Sequence, residues 1–306
     1  MKKIILVTGA TGAEGCSVAK ALLVAKNFYV RVLVKNPASP KALALQAAGA
    51  IIMQGDLNNR ESLQMAMKDC YGVFGVTNFW EHHEKEYLQG KNVMDAAKAN
   101  QVQHFVFHSL PDYHTLSGGE YAVPHSDVKA ALETYARELQ LPVTFARVSF
   151  YYEHLLSFLP LQNMGADNYC FGLPQGNTRM AMVSVEDLGA MVNTLFNHPA
   201  DYIGKTITAV GADKTGVQYA AIMTRVLQKN IQYKHIPREE YATSDLPNAA
   251  EMANMFEVQR LHIPNRQLDL IESMGLNPAL QSFETWLLKN RETFENKMTP
   301  KEVSTI

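Results

Sequence analysis

The sequence predicts an α/β protein, built on a doubly wound Rossmann-type parallel sheet with a smaller C-terminal α/β lobe. Up to residue 148, short β-branched runs alternate with segments of helical periodicity. This alternation is typical of parallel strands joined by crossover helices. Directly after the first run, Gly9, Gly12 and Gly15 open a helical segment, which is the setting of a dinucleotide-binding loop.

Six runs are predicted to be strands buried on both faces, because each is nearly continuously apolar. They are residues Ile4–Val7, Tyr29–Val34, 50–53, 72–76, 105–108 and 143–146. Helices are predicted between them, the fourth over residues 84–100 and the fifth over 127–139. Asn58 and Glu61 have the spacing of a capping box at the start of the third helix. Six strands in this rhythm predict the spatial order 3-2-1-4-5-6.

The rhythm weakens after residue 148, which predicts a nucleotide-binding domain over residues 1–150 and a smaller lobe over 151–296. Within the lobe, residues 185–196, 215–227 and 247–263 have helical patterns, and residues 232–236 predict a short strand. Later segments could return to extend the sheet, so this boundary is soft. Residues 283–290 end the predicted folded part, and the polar tail over residues 297–306 is expected to be mobile.

Composition restricts the functional classes. The 306 residues carry a net charge of −2, which does not favour direct binding to nucleic acid or to an anionic membrane. The sequence offers no apolar stretch that could span a membrane. Three separated cysteines fit free thiols in a reducing compartment, so we expect a cytoplasmic protein, or a nuclear one in a eukaryote. We expect no metal site, because the adjacent His82 and His83 would face different directions on a helix.

The three glycines have distinct physical roles in the predicted loop. Gly9 permits a tight turn, Gly12 lets a diphosphate approach backbone N–H groups, and Gly15 lets the helix pack closely on the strand. The helix N-terminus then offers partial positive charge to the phosphates. The alternative is an ordinary structural turn, but the position directly after a first strand favours dinucleotide binding.

The end of the second strand indicates which dinucleotide binds. NAD sites usually place an acid there for the ribose 2′-hydroxyl. Here the strand ends in Val34-Lys35-Asn36, so a cation stands where a 2′-phosphate would lie, and NADP(H) is favoured. The alternative is that Lys35 is a solvated loop lysine. After the third strand, Asp56 could meet the adenine amino group or serve as a turn residue, and Asn78 follows the fourth strand at the same sheet edge.

The chain resembles the NmrA-like family of atypical short-chain dehydrogenase/reductase proteins. The most specific pieces are Thr77-Asn78-Phe79-Trp80-Glu81 and Gln89-Gly90-Lys91, together with the glycine loop and the run from Arg31 to Pro37. The resemblance implies that these residues contact the cofactor: Gly9, Ala10, Thr11, Gly12, Ala13, Glu14, Gly15, Lys35, Asn36, Asp56, Leu57, Thr77, Asn78, Phe79, Lys91, Lys129, Tyr151, Tyr152, Glu153 and His154. The family commonly has arginine where this chain has Lys35, and lysine offers a point charge instead of a planar group.

The catalytic pair of active short-chain dehydrogenases is absent in its usual form. That pair is a tyrosine four residues before a lysine on one helix, where the lysine lowers the tyrosine pKa. Here His125 precedes Lys129 at that spacing, and Tyr121 is separated from Lys129 by the helix-breaking Pro124. Two catalytic hypotheses remain: Lys129 as a general base, as in related isoflavone-reductase-like enzymes, or His125 as a proton donor. Ser109, after the fifth strand, could be a helper hydroxyl or a structural residue.

The resemblance implies an NADP(H)-binding regulatory protein, a redox sensor that acts through a protein partner. Sensing would require unequal affinity of the cofactor for two conformations. The alternative is an NADPH-dependent reductase of quinones, enones or other carbonyl compounds that uses Lys129. A scaffold without a ligand is disfavoured by the intact glycine loop. A homodimer is expected only because such folds often pair.

Overall fold

Short strands and helices alternate along the computed structural model, which describes residues 2–157, 159–263 and 265–298. In chain order, the strands of these residues are β1 (Ile4–Val7), β2 (Tyr29–Val34), β3 (Ile51–Gln54), β4 (Gly72–Gly75), β5 (His104–Ser109), β6 (Val143–Val148), β7 (Phe150–Tyr151), β8 (Gln162–Gly165), β9 (Asn168–Leu173), β10 (Arg179–Val183), β11 (Thr206–Ala209), β12 (Ala212–Thr215) and β13 (Asn230–His235).

The helices of the same residues are α1 (Ala13–Ala25), α2 (Pro40–Ala47), α3 (Arg60–Met67), α4 (Phe79–His82), α5 (Lys85–Ala99), α6 (Tyr113–Leu116), α7 (Pro124–Glu138), α8 (Val185–Asn197), α9 (Pro199–Tyr202), α10 (Gly216–Leu227), α11 (Arg238–Ala242), α12 (Ala249–His262), α13 (Gln267–Leu276), α14 (Phe283–Lys289) and α15 (Arg291–Met298). A 3-10 turn over Tyr152–Leu156 follows β7.

The main sheet confirms the predicted Rossmann-type architecture. Over the described residues it has seven parallel strands in the order β11-β6-β5-β4-β1-β2-β3. The first six strands therefore have the predicted order, and β11 returns from the second half to pair with β6. From β1 the chain adds β2 and β3 on one side and then β4, β5 and β6 on the other, so the order of strand addition reverses between β1 and β4. A crevice opens at the carboxyl ends of the strands at such a switch point.

The second half of the chain contributes a strand to the main sheet and a helix to the layer that covers the sheet. Besides β11 in the sheet, α8 packs against α1, and the two helices are joined by the Ser17 hydroxyl. Ser17 Oγ donates to Glu186 O at 3.0 Å and accepts from Gly189 N at 3.1 Å. A Cβ on Gly189 would lie 2.3 Å from Ser17 O, so this close crossing requires glycine. The predicted boundary near residue 150 is thus crossed by later elements.

The smaller lobe is held together by its own aromatic core. Two three-stranded sheets, β12-β10-β7 and β13-β9-β8, occur within the described part of this lobe. Tyr152, Tyr219, Phe283 and Trp286 are almost fully buried between these sheets and the helices. Burying such large rings supplies much of the stability of a small lobe. The predicted helices and the predicted strand of this lobe all form, within a few residues of their expected bounds.

Two local predictions need correction. The N-cap of α3 is Asn59 instead of Asn58, and its side chain accepts from Ser62 N. Asn58 instead donates its backbone N–H to Asp56 Oδ1. The folded part continues past residue 290, because α15 follows and its Phe294 is 2 % exposed against Trp286. The predicted mobile tail includes the last turn of α15, while its residues 299–306 lie outside the described residues.

Candidate functional site

A cleft of about 830 Å³ opens at the carboxyl ends of β1, β2, β3 and β4, at the switch point of the sheet. Eleven of the sequence-predicted cofactor residues line it: Gly9, Thr11, Gly12, Ala13, Glu14, Lys35, Asn36, Asp56, Leu57, Thr77 and Asn78. They come from four different loops, each at the end of a strand. The parallel order of the sheet brings these separate loops to one place.

The glycine loop has the geometry that a diphosphate requires. Gly9 has a φ of +59°, and a Cβ there would lie 2.6 Å from Val76 Cγ1. A Cβ on Gly15 would lie 2.3 Å from Gly9 O, so α1 can approach β1 only with glycine at this position. Gly12 is the N-cap of α1, and no described side chain bonds the N–H groups of the first turn as a cap. Those groups are therefore available to an anion in the cleft.

Lys35 lies at the end of β2 as predicted, but acidic side chains surround it. Its Nζ is 3.2 Å from Glu81 Oε1 and 3.9 Å from Asp56 Oδ2. The hydrogen bond from Lys35 is the main reason that the pKa of Glu81 lies below its usual value. A second lysine of the cleft, Lys41, donates its Nζ to Thr11 O at 2.8 Å. Lys41 was not predicted from the sequence, because it lies inside α2 beyond the strand end.

A second cavity of about 500 Å³ adjoins the cleft and lies between the two lobes. The two cavities share Glu14, Thr77 and Asn78 in their walls. Much of the remaining wall is aromatic or methionine: Phe79, Trp80, Tyr113, Phe150, Tyr151, Met252 and Met255. Such a wall suits an apolar or aromatic ligand.

Lys129 lies at the junction of the two cavities, where its ammonium is fully engaged. Its Nζ donates to Glu86 Oε1 at 2.7 Å, to Thr77 Oγ1 at 3.1 Å and to Thr77 O at 3.2 Å. Glu86 is completely buried, and the Lys129 side chain is 5 % exposed. Three acceptors match the three protons of an ammonium group. This network fixes Thr77 where the cleft meets the second cavity.

His125 is held by a carboxylate from the other lobe. Glu251 Oε1, in the first turn of α12, lies 2.6 Å from His125 Nδ1 and accepts the backbone N–H of His125 at 2.7 Å. Burial raises the pKa of Glu251, but the hydrogen bonds from His125 outweigh it and leave that pKa below its usual value. The His125 ring also lies 5.0 Å from the Trp80 ring, at an angle of 34°. His125 therefore has a fixed position in the wall of the second cavity.

His108 and Tyr151 form a second polar pair in the same cavity. His108 Nε2 is 3.1 Å from Tyr151 Oη. Burial, with a contribution from the Lys129 ammonium, lowers the pKa of His108 to about 3. Burial also raises the pKa of Tyr151 well above its usual value. Both side chains are thus neutral near pH 7 and contribute hydrogen bonding without charge.

Several predicted cofactor residues are placed elsewhere. Lys91 lies over the Tyr135 ring at 4.3 Å, and Tyr152 is 0 % exposed in the aromatic core of the smaller lobe. Glu153 accepts from Trp286 Nε1 and from Ser184 Oγ, at the start of α8. None of these three lines either cavity, and their contact with a cofactor stays a prediction. The contacts that the structure shows for them are packing and helix-capping contacts.

Other predicted residues have supporting positions. Ala10 is buried under the loop, and Gly15 supports it through the close approach of α1. His154 lines the second cavity with Tyr151 and Phe79. Ser109 donates to Glu133 Oε1 at 2.7 Å, inside an ion-pair network with Arg147, which corresponds to its structural alternative.

Besides Lys41, sequence reasoning missed several carboxylates. Glu86, Glu81 and Glu251 each pair with a predicted residue: Lys129, Lys35 and His125 respectively. Their sequence separations are 43, 46 and 126 residues, so no local spacing could reveal these pairs. Glu81 does stand inside a motif quoted for the family resemblance, and this was the one available signal.

Within the residues that the structure describes, no cluster of three or more His, Cys, Asp or Glu side chains could hold a metal ion. Across those same residues, no helix combines the length and the apolar character that crossing a bilayer requires.

The sheet order and the cleft at its switch point define a Rossmann-type α/β protein of the atypical short-chain dehydrogenase/reductase class. The family model described as NmrA-like matches residues 1–287. The chain therefore belongs to the NmrA-like family, as its motifs indicated.

Several known proteins similar to this chain are described as NmrA or as NmrA-like. An NmrA-like family domain-containing protein of Dictyostelium discoideum is 28% identical over 94% of this chain and 98% of its own length. An NmrA-like family domain-containing oxidoreductase of Cladobotryum sp is 27% identical over 84% of this chain and 83% of its own length. The crystal structure of NmrA, a negative transcriptional regulator, in complex with NADP has a TM-score of 0.81 and 22% identity, and covers 99% of this chain and 98% of that one. This last likeness shows a shared fold.

Proposed function

We propose that this chain is an NADPH-dependent reductase of a small, apolar, unsaturated acceptor such as a quinone or an enone. The observation that carries the proposal is the apolar second cavity, which shares three wall residues with the dinucleotide cleft. A dinucleotide whose diphosphate lies on the glycine loop has its two ends on opposite sides of that loop. The adenosine end would face Lys35, and the nicotinamide end would face Thr77 and the second cavity.

The residues that would hold the cofactor fit its chemistry. The loop around Gly12 offers uncapped N–H groups to the diphosphate, and Lys35 with Lys41 offers cations on the adenosine side. When bound, NADPH supplies a hydride, which adds two electrons to the acceptor. A carbonyl or enone oxygen then needs one proton to complete the reduction, and a neighbouring side chain must deliver it.

His125 is the proton donor that this geometry favours. Its Nδ1 is hydrogen-bonded to the Glu251 carboxylate, an arrangement that fixes the position of the imidazole ring. It lines the cavity and stands one helical turn before Lys129 on α7. Lys129 is less suited to act as the base, because Glu86 and Thr77 occupy all three of its protons. We assign Lys129 a positioning role toward Thr77.

The test is oxidation of NADPH by the purified chain with a panel of quinones, enones and aldehydes. Turnover of about 1 s⁻¹ or more for a panel member would support a working reductase. Leu110→Trp, which inserts a large ring into the second cavity, should abolish that turnover and leave NADPH binding unchanged. Leu116→Trp is the matched control, because Leu116 is 41% exposed and lies outside both cavities. Equal turnover in the two variants would refute the use of this cavity.

The regulatory hypothesis is the second candidate, and one observation favours it. The contact between His125 and Glu251 joins the nucleotide-binding domain to α12 at the wall of the second cavity. A change at the nicotinamide end could therefore alter how the lobes meet, provided that NADP⁺ and NADPH bind the two arrangements unequally. Amide hydrogen exchange in α12 should then differ between the two cofactor forms, with no turnover of the panel. The protein partner and the homodimer remain predictions.

A further inference from the structure

The surroundings of Lys35 bear on the choice between the two dinucleotides. Resting on the proposed NADP(H) site, we propose that Glu81 sets the selectivity of this chain by competing with the 2′-phosphate for the Lys35 ammonium. Glu81 belongs to α4, a short helix after β4, and reaches the end of β2 across the cleft. Glu81 is thus a specificity-determining residue. It belongs to a different element from β2, the strand that Lys35 follows.

Two carboxylates already pair with the Lys35 ammonium. Glu81 Oε1 is 3.2 Å from Lys35 Nζ, and Asp56 Oδ2 is 3.9 Å from it. Asn78 and His82 also contact the Glu81 carboxylate, at 3.4 Å each, and keep it beside Lys35. All of these residues line the same cleft. The strand end lacks an acid in sequence, yet the fold returns two carboxylates to that position in space.

The two dinucleotides would meet this arrangement differently. A 2′-phosphate that pairs with Lys35 must share the ammonium with Glu81, and the Glu81 and Asp56 carboxylates repel it. A ribose 2′-hydroxyl leaves the ion pair intact, and a nearby carboxylate can accept its hydrogen bond, as acids do in NAD sites. Glu81 therefore lowers affinity for NADP(H) and leaves affinity for NAD(H) unchanged or higher.

The experiment is calorimetric titration of the full chain with NADP⁺ and with NAD⁺ at fixed ionic strength. Glu81→Gln removes the charge and keeps the shape of the side chain. We expect on the order of a fivefold gain in NADP⁺ affinity, the scale of a half-exposed ion pair, and no gain for NAD⁺. Glu84→Gln is the matched control, since Glu84 is an exposed acid three residues away, and it should change neither affinity by more than about twofold.

A Lys35→Met background identifies the mechanism. If Glu81 acts by competing for Lys35, the selective gain from Glu81→Gln should shrink to less than half in that background. An equal gain with and without Lys35, or equal effects on both dinucleotides, would overturn the inference. If wild-type protein binds NADP⁺ and NAD⁺ but Glu81→Gln leaves the ratio of the two affinities unchanged, the inference about Glu81 fails and the proposed function is unaffected. If wild-type protein binds neither dinucleotide, the proposed function fails with it.

Discussion

Replacing Lys129 with methionine should destabilise the protein strongly, because it would leave the Glu86 carboxylate buried without its cation. Glu86 is 0 % exposed and its Oε1 is 2.7 Å from Lys129 Nζ. Its other oxygen, Oε2, has no hydrogen-bond partner in the described structure. Removing one member of such a pair typically costs about 3–5 kcal/mol. That is a large share of the roughly 5–15 kcal/mol that separates folded from unfolded states of ordinary domains.

Urea denaturation followed by circular dichroism measures this loss. The double variant Lys129→Met/Glu86→Leu should recover most of the stability, because it removes the buried charge together with its partner. Lys98→Met, an exposed lysine on α5, should stay within about 0.5 kcal/mol of the wild type. The reasoning is refuted if Lys129→Met costs less than about 1 kcal/mol, or if the double variant is no more stable than the single one.

Three further predictions concern the loop, a buried histidine and the proton donor. Gly15→Ala should destabilise the protein by about 1–3 kcal/mol in urea, because its Cβ would lie 2.3 Å from Gly9 O. Burial lowers the pKa of His104 to about 4, so the unfolded chain takes up its proton first, and stability should fall as pH drops from 6.5 toward 4. In His104→Gln, the slope of the unfolding free energy against pH between 6.5 and 4 should decrease by up to about 1.4 kcal/mol per pH unit. An unchanged slope would contradict this. His125→Asn should lower any NADPH turnover by roughly 100-fold or more and leave the NADPH dissociation constant unchanged, whereas equal losses in both would indicate a structural role.

The order of the main sheet could be predicted because its signals are local. Each of the first six strands is an apolar run, and the glycine loop marks where the first of them ends. Pairing of β11 with β6 and packing of α8 on α1 carry no comparable local signal, because they depend on contacts between distant segments. The helix α15 was not predicted because its residues are mostly polar. Phe294 is the one buried residue among its described side chains.

The candidate site divides in the same way. Residues at strand ends, such as Gly12, Lys35 and Asn78, were predicted and line the cleft. The carboxylates that pair with Lys35, Lys129 and His125 come from other elements, so only the fold reveals these pairs. Residues carried over by resemblance alone, such as Lys91 and Glu153, proved to have packing and capping contacts.

Calorimetric titration of NADP⁺ into wild-type protein and into Gly12→Val tests the central claim most directly. Gly12 lines the cleft as the N-cap of α1, so valine there places methyl groups beside the N–H groups that would hold a diphosphate. We expect saturable one-site binding to the wild type and none to the variant, with closely similar unfolding curves for the two proteins. Equal binding to both proteins, or no heat from the wild type at saturating cofactor, would contradict the dinucleotide site proposed for this cleft.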